Sequence, residues 1–450
     1  MVQMSSCSRK KNSFSRRFYH NNTALYNGYF NAREIVKKRN KSVEKAHKED
    51  FYDILPVFIE PTEEEAQAYY PDLDKAILKC SKVIDRHSMY IKKKEYNKWI
   101  DDAYMLIGKC RYYKGEYFGA LEIFEYVAKA YKDQPVRTLA QTWQARTYLK
   151  MEDYRSAFNI LEKIENDGLF YAEHKGIYNA VYADYHLKRN EKDGALEKIE
   201  NAYRYTRKVK VKRRYAYILA QLHHRDKFYE QAFKYYEIVL GLRPDYRMEF
   251  NARLNRAKAY DVKANNSDKI KKELKKMLRD KKNLEFQDQI YFALAELAFR
   301  EGNDSLGIDY LKSSVKSSQG NRKQKAEAYL MLGNIYFDKP HYINAQAYYD
   351  SCLAIVSESH RSYDRIKDRH RSLTELVSHL NVVTYEDSVQ RLVGMSEKER
   401  NKMINKLIKA YIAEEERKKQ ELAEGFALNF QNPGSQNTTA STGKWYFYNQ

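Results

Sequence analysis

The chain has 450 residues, with 43% hydrophobic and 32% charged side chains but only 16 Gly and 7 Pro. This scarcity of helix-breaking residues indicates an all-α protein with little β-structure. No run of 18 apolar residues occurs, so the sequence predicts no membrane-spanning helix. The formal net charge of +20 favours an anionic partner, which could be nucleic acid, an anionic envelope surface or an acidic protein.

The first 65 residues differ in composition from the rest of the chain. Basic and aromatic side chains are interspersed from Arg9 to Phe30, and Pro56 and Pro61 punctuate the end of the segment. We therefore predict that residues 1–65 run extended along the remainder of the protein. Residues 66–99 are predicted to contain a capping helix, from about Asp72 to His87.

Small residues recur between residues 100 and 356 at a spacing of 37 or 38. A second small residue follows twelve positions after each of them, except in the fifth copy, where Lys269 stands in its place. The first set is Gly108, Ala145, Ala183, Ala220, Ala257, Ala295 and Gly333, and the second is Ala120, Ala157, Ala195, Ala232, Gly307 and Ala345. A fixed period of this length is typical of stacked helix pairs.

The two small residues of each repeat are expected to let its two helices approach closely. Four residues after the second one stands a large apolar residue, first Phe124, which we expect to fill the groove against the next repeat. The first copy, from Tyr104 to Phe124, and the last, from Tyr329 to Tyr349, resemble the tetratricopeptide repeat. This resemblance implies an all-α, tetratricopeptide-like α-solenoid: a right-handed superhelix of about seven helix pairs over residues 100–356, with capping helices.

Residues 357–425 are predicted to form the carboxy-terminal capping helices. Ser396 and Glu399 form a capping-box pattern that starts a helix, and Met403 to Tyr411 give this helix an apolar stripe that should cover the exposed end of the last repeat. Residues 426–450 are predicted to be a polar linker and the start of a further region, because a stretch rich in Gln, Asn, Ser and Thr ends on an aromatic cluster at Trp445.

No catalytic or cofactor motif is found, whether a phosphate-binding loop, a zinc-protease helix or a serine-hydrolase elbow. The histidines are scattered, and the adjacent His223 and His224 point to different faces of a helix, so packing explains them better than metal ligation. We therefore expect a protein that is not an enzyme, with no catalytic residue, cofactor, metal site or small-molecule substrate.

Two runs of basic residues are the candidates for contact with an anionic partner. The first is interleaved with tyrosines, and the second runs from Lys269 to Lys282. Each run is either a soluble rim of the repeat array or a surface for an anionic protein or envelope partner. Nucleic acid is not favoured, because no nucleic-acid-binding module accompanies the charge. The first candidate surface consists of Arg204, Arg207, Lys208, Lys210, Lys212, Arg213 and Arg214.

Three passages carry a second, more specific resemblance. They are the stretch from Cys7 to Asn31, which begins Cys-Ser-Arg-Lys-Lys-Asn-Ser-Phe, the stretch from Tyr385 through Ser396-Glu-Lys-Glu-Arg, and the end Gly443-Lys-Trp-Tyr-Phe-Tyr-Asn449. Together they are similar to the PorW/SprE lipoproteins of the type IX secretion and gliding machinery of Bacteroidota. The similarity covers essentially the whole chain and matches the amino-terminal half of a longer family protein.

This resemblance implies that Cys7 is the lipidated residue at the mature amino terminus, preceded by the remnant of a lipobox. It further implies a non-enzymatic outer-membrane lipoprotein scaffold on the periplasmic face, which meets the membrane only through its lipid anchor. The expected partners are the ring and motor components of the type IX machinery and the outer-membrane translocon. The residues also leave open a generic cytoplasmic tetratricopeptide-repeat adaptor that binds peptides or acidic proteins.

Overall fold

The structure, a computed structural model, describes residues 9–167, 172–259, 267–358, 360 and 362–430. The predictions on Cys7 and on residues 431–450 concern residues outside these ranges. The chain divides into two compact units, the first up to Ala328 and the second from Tyr329 onward. The division lies inside one helix, Arg322–Asp338.

The amino-terminal segment is mostly helical, which corrects the prediction that residues 1–65 are extended. It forms α1 (Phe14–Thr23), a π-helical turn (Ala24–Tyr29) and α2 (Phe30–Ala46). Between α2 and the short helix α3 (Glu63–Gln67), residues 47–62 have no helix or strand. The basic side chains between the apolar positions of α2 obscured its helical period in the sequence.

Two helices, rather than one, cover the start of the repeats. The predicted capping helix is present as α4 (Tyr70–His87). Ala32 and Val36 of α2 lie four residues apart on one buried face, and they pack in one apolar cluster with Cys80 of α4 and Cys110 of the first repeat. The thiols of both cysteines are free and buried.

A short antiparallel hairpin precedes the helix pairs. Its strands, β1 (Tyr90–Ile91) and β2 (Lys94–Glu95), have two residues each. The first helices of the pairs are α5 (Ile100–Tyr113), α7 (Val136–Lys150), α9 (Lys175–Lys188), α11 (Val209–Arg225), α13 (Tyr246–Lys258), α15 (Gln287–Arg300) and α17 (Arg322–Asp338). The second helices are α6 (Tyr117–Ala130), α8 (Tyr154–Glu165), α10 (Lys192–Tyr205), α12 (Tyr229–Gly241), α14 (Ser267–Arg279), α16 (Asp304–Ser317) and α18 (Tyr342–Leu353). Short 3₁₀ helices, Ala172–His174 and Lys281–Phe286, precede α9 and α15.

The small residues that recur in the sequence occupy equivalent places in these pairs. Each residue of the first set lies on the first helix of a pair, each residue of the second set lies on a second helix, and all of them are buried. Small side chains at these points let the two backbones approach each other. The chain is therefore an all-α, tetratricopeptide-like solenoid, as the sequence predicts.

Phe124 packs within its own repeat as well as against the next one. A Cβ added to Gly108 would lie 2.5 Å from Cε1 of the Phe124 ring, so glycine lets α5 approach α6 at this point. On the other side, the ring centroid lies 5.9 Å from that of Trp143 in the following repeat. The large residue thus fills the gap inside its own pair in addition to the groove where it was expected.

The fifth pair keeps an apolar contact face that is shifted by one residue. Ile270 is 5% exposed, whereas Lys269, at the position where the other repeats have a small residue, faces solvent. The buried face of α14 continues through Leu274 and Met277, and it packs in one cluster with Phe250 of α13. The interruption in the sequence pattern is therefore a local change of register.

In the second unit, two long helices follow α18. They are α19 (Tyr363–Val393) and α20 (Glu397–Phe430). Helix α19 is continuous over 31 residues. The predicted capping box at the start of α20 is confirmed, because the Ser396 hydroxyl accepts a hydrogen bond from the Glu399 amide and the Glu399 carboxylate accepts one from the Ser396 amide.

The helix that covers the last repeat is α19, not the predicted α20. Ile366 and Leu373 of α19 are buried, and Arg369 donates hydrogen bonds to Asn334 of α17 at 2.9 Å and to the Tyr349 hydroxyl of α18 at 3.0 Å. The apolar stripe of α20, by contrast, is largely exposed. Met403 is half-buried, and the other members of the predicted stripe are exposed: Ile404, Leu407, Ile408 and Tyr411.

Replacing Gly108 with Ala should destabilise the first unit, because the new methyl group would collide with a fully buried aromatic ring. We expect the free energy of unfolding to fall by about 1–3 kcal/mol, the usual cost of overpacking. The matched control is Gly241→Ala at the end of α12, where an added Cβ meets no atom within 4 Å. Urea denaturation measures both, and a G108A protein as stable as the control would contradict the close approach of α5 and α6.

Candidate binding groove on the first helices of the repeats

An extended segment of the first unit, residues 47–62, lies across the first helices of the repeats, and we call it the strap. It runs opposite to the order of the repeats. Glu60 contacts α5 and α7, Pro56 contacts α11, and Asp50 contacts the start of α17. We call the side of the first helices that the strap covers the strap face.

The carboxylate of Glu60 anchors one end of the strap. Its Oε1 accepts hydrogen bonds from Arg146 Nη2 at 2.9 Å and from the Tyr112 hydroxyl, and its Oε2 lies 2.9 Å from Nζ of Lys150. Burial opposes ionisation of Glu60, but the charge of Arg146 and the hydrogen bonds from Tyr112 and Lys150 outweigh it and lower the Glu60 pKa to about 2. The group is therefore an anion throughout the physiological range of pH.

The guanidinium of Arg146 is buried between aromatic rings. Its Cζ lies 3.9 Å from the ring centroid of Phe58 in the strap and 4.7 Å from that of Trp143 in α7. A cation that has lost its water shell is attracted to aromatic faces, and Glu60 supplies the opposite charge that its burial requires. The strap thus supplies both the carboxylate and one of the aromatic rings that stabilise the buried Arg146.

In the middle of the strap, the side chain of Gln221 on α11 binds the strap backbone at two points. Its Oε1 accepts a hydrogen bond from the Leu55 amide at 2.9 Å, and its Nε2 donates one to the Asp53 carbonyl at 2.7 Å. Two turns earlier on α11, Arg214 Nε donates to the Pro56 carbonyl at 2.7 Å. Contacts of this kind hold an extended chain through its backbone, independently of side-chain identity.

Two apolar side chains of the strap enter the core of the first unit. Leu55 is 1% exposed and Val57 is 3% exposed, and both belong to the cluster formed by Ala183, Tyr215 and Ala220. Burial of an aliphatic side chain of this size is worth about 1.5–3 kcal/mol. Pockets for side chains add sequence selectivity to the backbone contacts.

The other end of the strap reaches the start of α17. Asp50 pairs with Nζ of Lys323 at 2.8 Å, and Asn321 Nδ2 donates a hydrogen bond to the Tyr52 hydroxyl at 3.0 Å. These contacts are more exposed than those of Glu60, so each contributes less to stability. They nevertheless fix the path of the strap as far as the start of α17.

A polar stripe on the first helices marks the strap face. In every repeat, the residue directly after the small residue of the first helix is polar or charged. Arg146 and Gln221 bind the strap, and Asp184 lines a cavity together with strap residues Asp53 and Leu55. In the first unit the residues at this position are Lys109, Arg146, Asp184, Gln221, Lys258 and Glu296. Neither this stripe nor Glu60 is among the predicted site residues, although the recurrence of a polar residue beside each small one is a signal that could reveal it.

The predicted surface for an anionic partner is largely engaged within the chain. Five of its seven members contact other residues: Arg204 with Glu200, Lys210 with Glu44, Lys212 over the Tyr203 ring, Arg213 with the carbonyl of Leu242, and Arg214 with Glu49. Within the described residues, no side-chain hydrogen bond, ion pair or ring contact is found for Arg207 or Lys208. The binding of an anionic partner by this run stays a prediction.

Histidines of the repeats pack against aromatic rings. The His186 ring lies parallel to that of Tyr182, with centroids 4.8 Å apart. Burial and the charges of Lys258 and Arg300 lower the pKa of His224 to about 4, so this imidazole is neutral at physiological pH. In the described parts of the chain, no three His, Cys, Asp or Glu side chains are placed to hold a metal ion. The helices described there include none with the length and hydropathy needed to cross a membrane.

Comparison with known proteins gives matches only among solved structures. No family model matches the chain, and no curated protein does. A crystal structure of MamA is 15% identical over 50% of this chain and 94% of that chain, with a TM-score of 0.29. A tetratricopeptide repeat protein from Parabacteroides merdae is 13% identical over 69% of this chain and 98% of that chain, with a TM-score of 0.26. The C-terminal part of a repeat-containing protein from Cytophaga hutchinsonii is 16% identical over 68% and 98%, with a TM-score of 0.34.

The class of this protein rests on its own helix pairs and on the buried small residues at their contacts.

Glu60→Gln should loosen the strap by removing the charge that balances Arg146. We expect the free energy of unfolding at pH 7 to fall by about 2–3 kcal/mol, since a partly buried ion pair loses one partner. The control is Glu125→Gln, which removes an exposed i,i+4 pair with Lys129 on α6 and should cost less than about 0.5 kcal/mol. Urea denaturation of both variants compares the two losses, and equal losses would show that Glu60 does not anchor the strap.

The stabilisation that Glu60 provides should depend on pH. The pKa of Glu60 is lower in the folded protein than its ordinary value of 4.5, so its stabilisation is complete above about pH 4.5 and is lost as the pH falls toward 2. The difference in unfolding free energy between wild type and E60Q should therefore shrink across that range. A difference that stays constant would place the carboxylate outside the ion-pair network.

Proposed function

We propose that the protein is a non-enzymatic scaffold that binds protein partners. The observation that carries this proposal is the strap face, where an extended segment is held by two-point hydrogen bonds to its backbone and by buried apolar side chains. Stacked helix pairs present long surfaces suited to such segments. The strap fills this face from Glu60 to Asp50, so a partner segment that used the same face would have to displace it.

The scaffold is, in the finer form of this proposal, an outer-membrane lipoprotein of the type IX secretion and gliding machinery. The resemblance of its three passages to the PorW/SprE family supports this assignment. Acyl chains on Cys7 would hold it at the periplasmic face of the membrane, because two or three chains suffice for stable anchoring. Its partners would be the ring and motor components and the outer-membrane translocon.

The ability of the strap face to bind a peptide can be measured with the strap sequence itself. A fluorescent peptide of residues 47–62 should bind wild-type protein weakly, because the resident strap competes for the face. The E60Q change should increase the fraction of molecules in which the strap has left the face. The peptide should therefore bind the E60Q protein more tightly, and its apparent affinity should rise by the same factor as that fraction. Fluorescence anisotropy gives both affinities, with a scrambled peptide as the control. Equal binding of the two peptides would contradict a specific groove.

Mass spectrometry of the protein from its native host tests the anchor. We expect the mature protein to begin at a diacylated or triacylated Cys7 and to fractionate with the outer membrane, whereas Cys7→Ser should leave the protein soluble. Crosslinking in the same cells should then join the wild-type protein to type IX components. An unmodified Cys7 behind an intact Met1 would overturn the lipoprotein assignment and favour the cytoplasmic adaptor, while leaving the peptide-binding result unaffected.

A further inference from the structure

A concentration of positive charge in the first unit surrounds a cavity, which we call the basic cavity. It has a volume of about 530 Å³ and lies between the end of α2, the strap and the amino-terminal ends of α11 and α13. Eight Lys and Arg side chains line it, against three carboxylates. Several members of the basic run seen in the sequence are among them, including Lys208, Lys210, Arg213 and Arg214.

The three carboxylates are already committed to other groups. Glu49 forms a bidentate ion pair with the buried Arg214, and Glu44 pairs with Lys210. Asp245 caps α13 by accepting a hydrogen bond from the Met248 amide. Arg146 is balanced by Glu60, which lies outside the lining. Within the described residues, the lining still holds cations for which no ion pair is found, among them Arg39, Lys45, Lys208 and Arg247.

Arg39 supplies a buried cation on the α2 side of the cavity. It is only 5% exposed, and its guanidinium lies over the Tyr113 ring at 4.1 Å. Its Nη1 donates to the amide oxygen of Asn40 at 2.9 Å, whereas its Nε has no hydrogen-bond partner. No ion pair to Arg39 is found within the described residues. A buried guanidinium without a carboxylate is costly unless an anion compensates it.

The amino terminus of α11 adds to the positive field on the opposite side. This 17-residue helix begins at Val209 with Lys208 at its N-cap position, has no side-chain cap, and has no acidic residue in its first turn. Free amides at a helix start carry partial positive charge, which proteins normally balance with an acidic residue or a bound anion. Here the side chains at the helix start are Lys208 and Lys210, and only Lys210 is paired, with Glu44, so the arrangement favours a bound anion.

Crowding of cations extends to Lys109 on α5 of the first repeat. Burial, together with the charges of Arg146 and Lys208, lowers the pKa of Lys109 to about 8, although Asp102 opposes this effect. The cavity also has aromatic walls, from Phe58 and Tyr113. Its volume falls in the range of small-molecule sites, which combine apolar walls with a few polar groups.

We propose that the basic cavity binds a small phosphorylated molecule, of nucleotide size or less. The phosphate lies between Arg39, the start of α11 and the rim cations Lys208 and Arg247, and the rest of the molecule packs against the aromatic wall. Guanidinium groups and helix amides are the usual ligands of phosphate in proteins. Because α2, the strap and α11 all border the cavity, the bound anion also fastens the strap to the repeats.

Isothermal titration calorimetry of the full chain at 0.15 M salt, with inorganic pyrophosphate and with adenosine diphosphate, tests this proposal. We expect saturable binding of one molecule per chain with a dissociation constant below about 1 mM. Binding of both probes means that the phosphate group suffices, whereas binding of the nucleotide alone means that the aromatic wall is required. Either result supports the site.

Two matched variants decide whether the cavity is responsible. Lys208→Gln with Arg247→Gln removes two exposed rim cations and should weaken binding at least about tenfold, since two charge-assisted contacts are lost. Lys269→Gln with Lys276→Gln removes the same charge from the exposed side of α14 and should change binding less than about twofold. Unfolding midpoints without ligand check that both variants are folded. No saturable binding to wild type, or equal weakening in the two variants, would overturn the proposal.

Discussion

The close contact between two helices at each pair of small residues is the constraint on which the rest of the molecule depends. Once Gly108 faces the Phe124 ring, the orientation of α5 about its own axis is fixed. The next residue along the helix is turned by about 100° and therefore lies on a different side. Repetition of this contact places Arg146, Asp184 and Gln221 on one face, where the strap lies.

Charge explains why this particular segment occupies that face. The strap carries Glu49, Asp50, Asp53 and Glu60 and a single lysine, in a chain whose formal net charge is +20. Two of these carboxylates meet the buried guanidinium groups of Arg214 and Arg146. A buried cation on a repeat helix would be destabilising alone, so the face and the strap complement each other. The same reasoning applied to cations without such a partner points to the basic cavity.

The sequence predicted the repeats well because their contacts are local and periodic. Residues such as Ala145 and Ala157 are twelve apart and signal one helix pair directly. The strap contacts are of another kind, since Glu60 and Arg146 are 86 residues apart. Arg146 occupies a position that is polar in every repeat, but Glu60 belongs to no repeating pattern, so the sequence does not pair them. The helix α2 was missed because basic residues interrupt its apolar period. The wrong helix was predicted to cover the last repeat because α20 has an apolar stripe. Both α19 and α20 carry apolar residues, and the sequence does not show which of them packs against the repeat.

The path of the strap changes how the first unit is expected to fold. In an array of repeats with neighbour contacts only, the ends can open while the middle remains folded. Here Asp50 is joined to Lys323 across 273 residues of chain, and Glu60 is joined to the first two repeats. Opening an end therefore also breaks contacts in the strap, which couples distant repeats into one cooperative transition. Such long loops close slowly, so the unit gains cooperativity at the expense of folding speed.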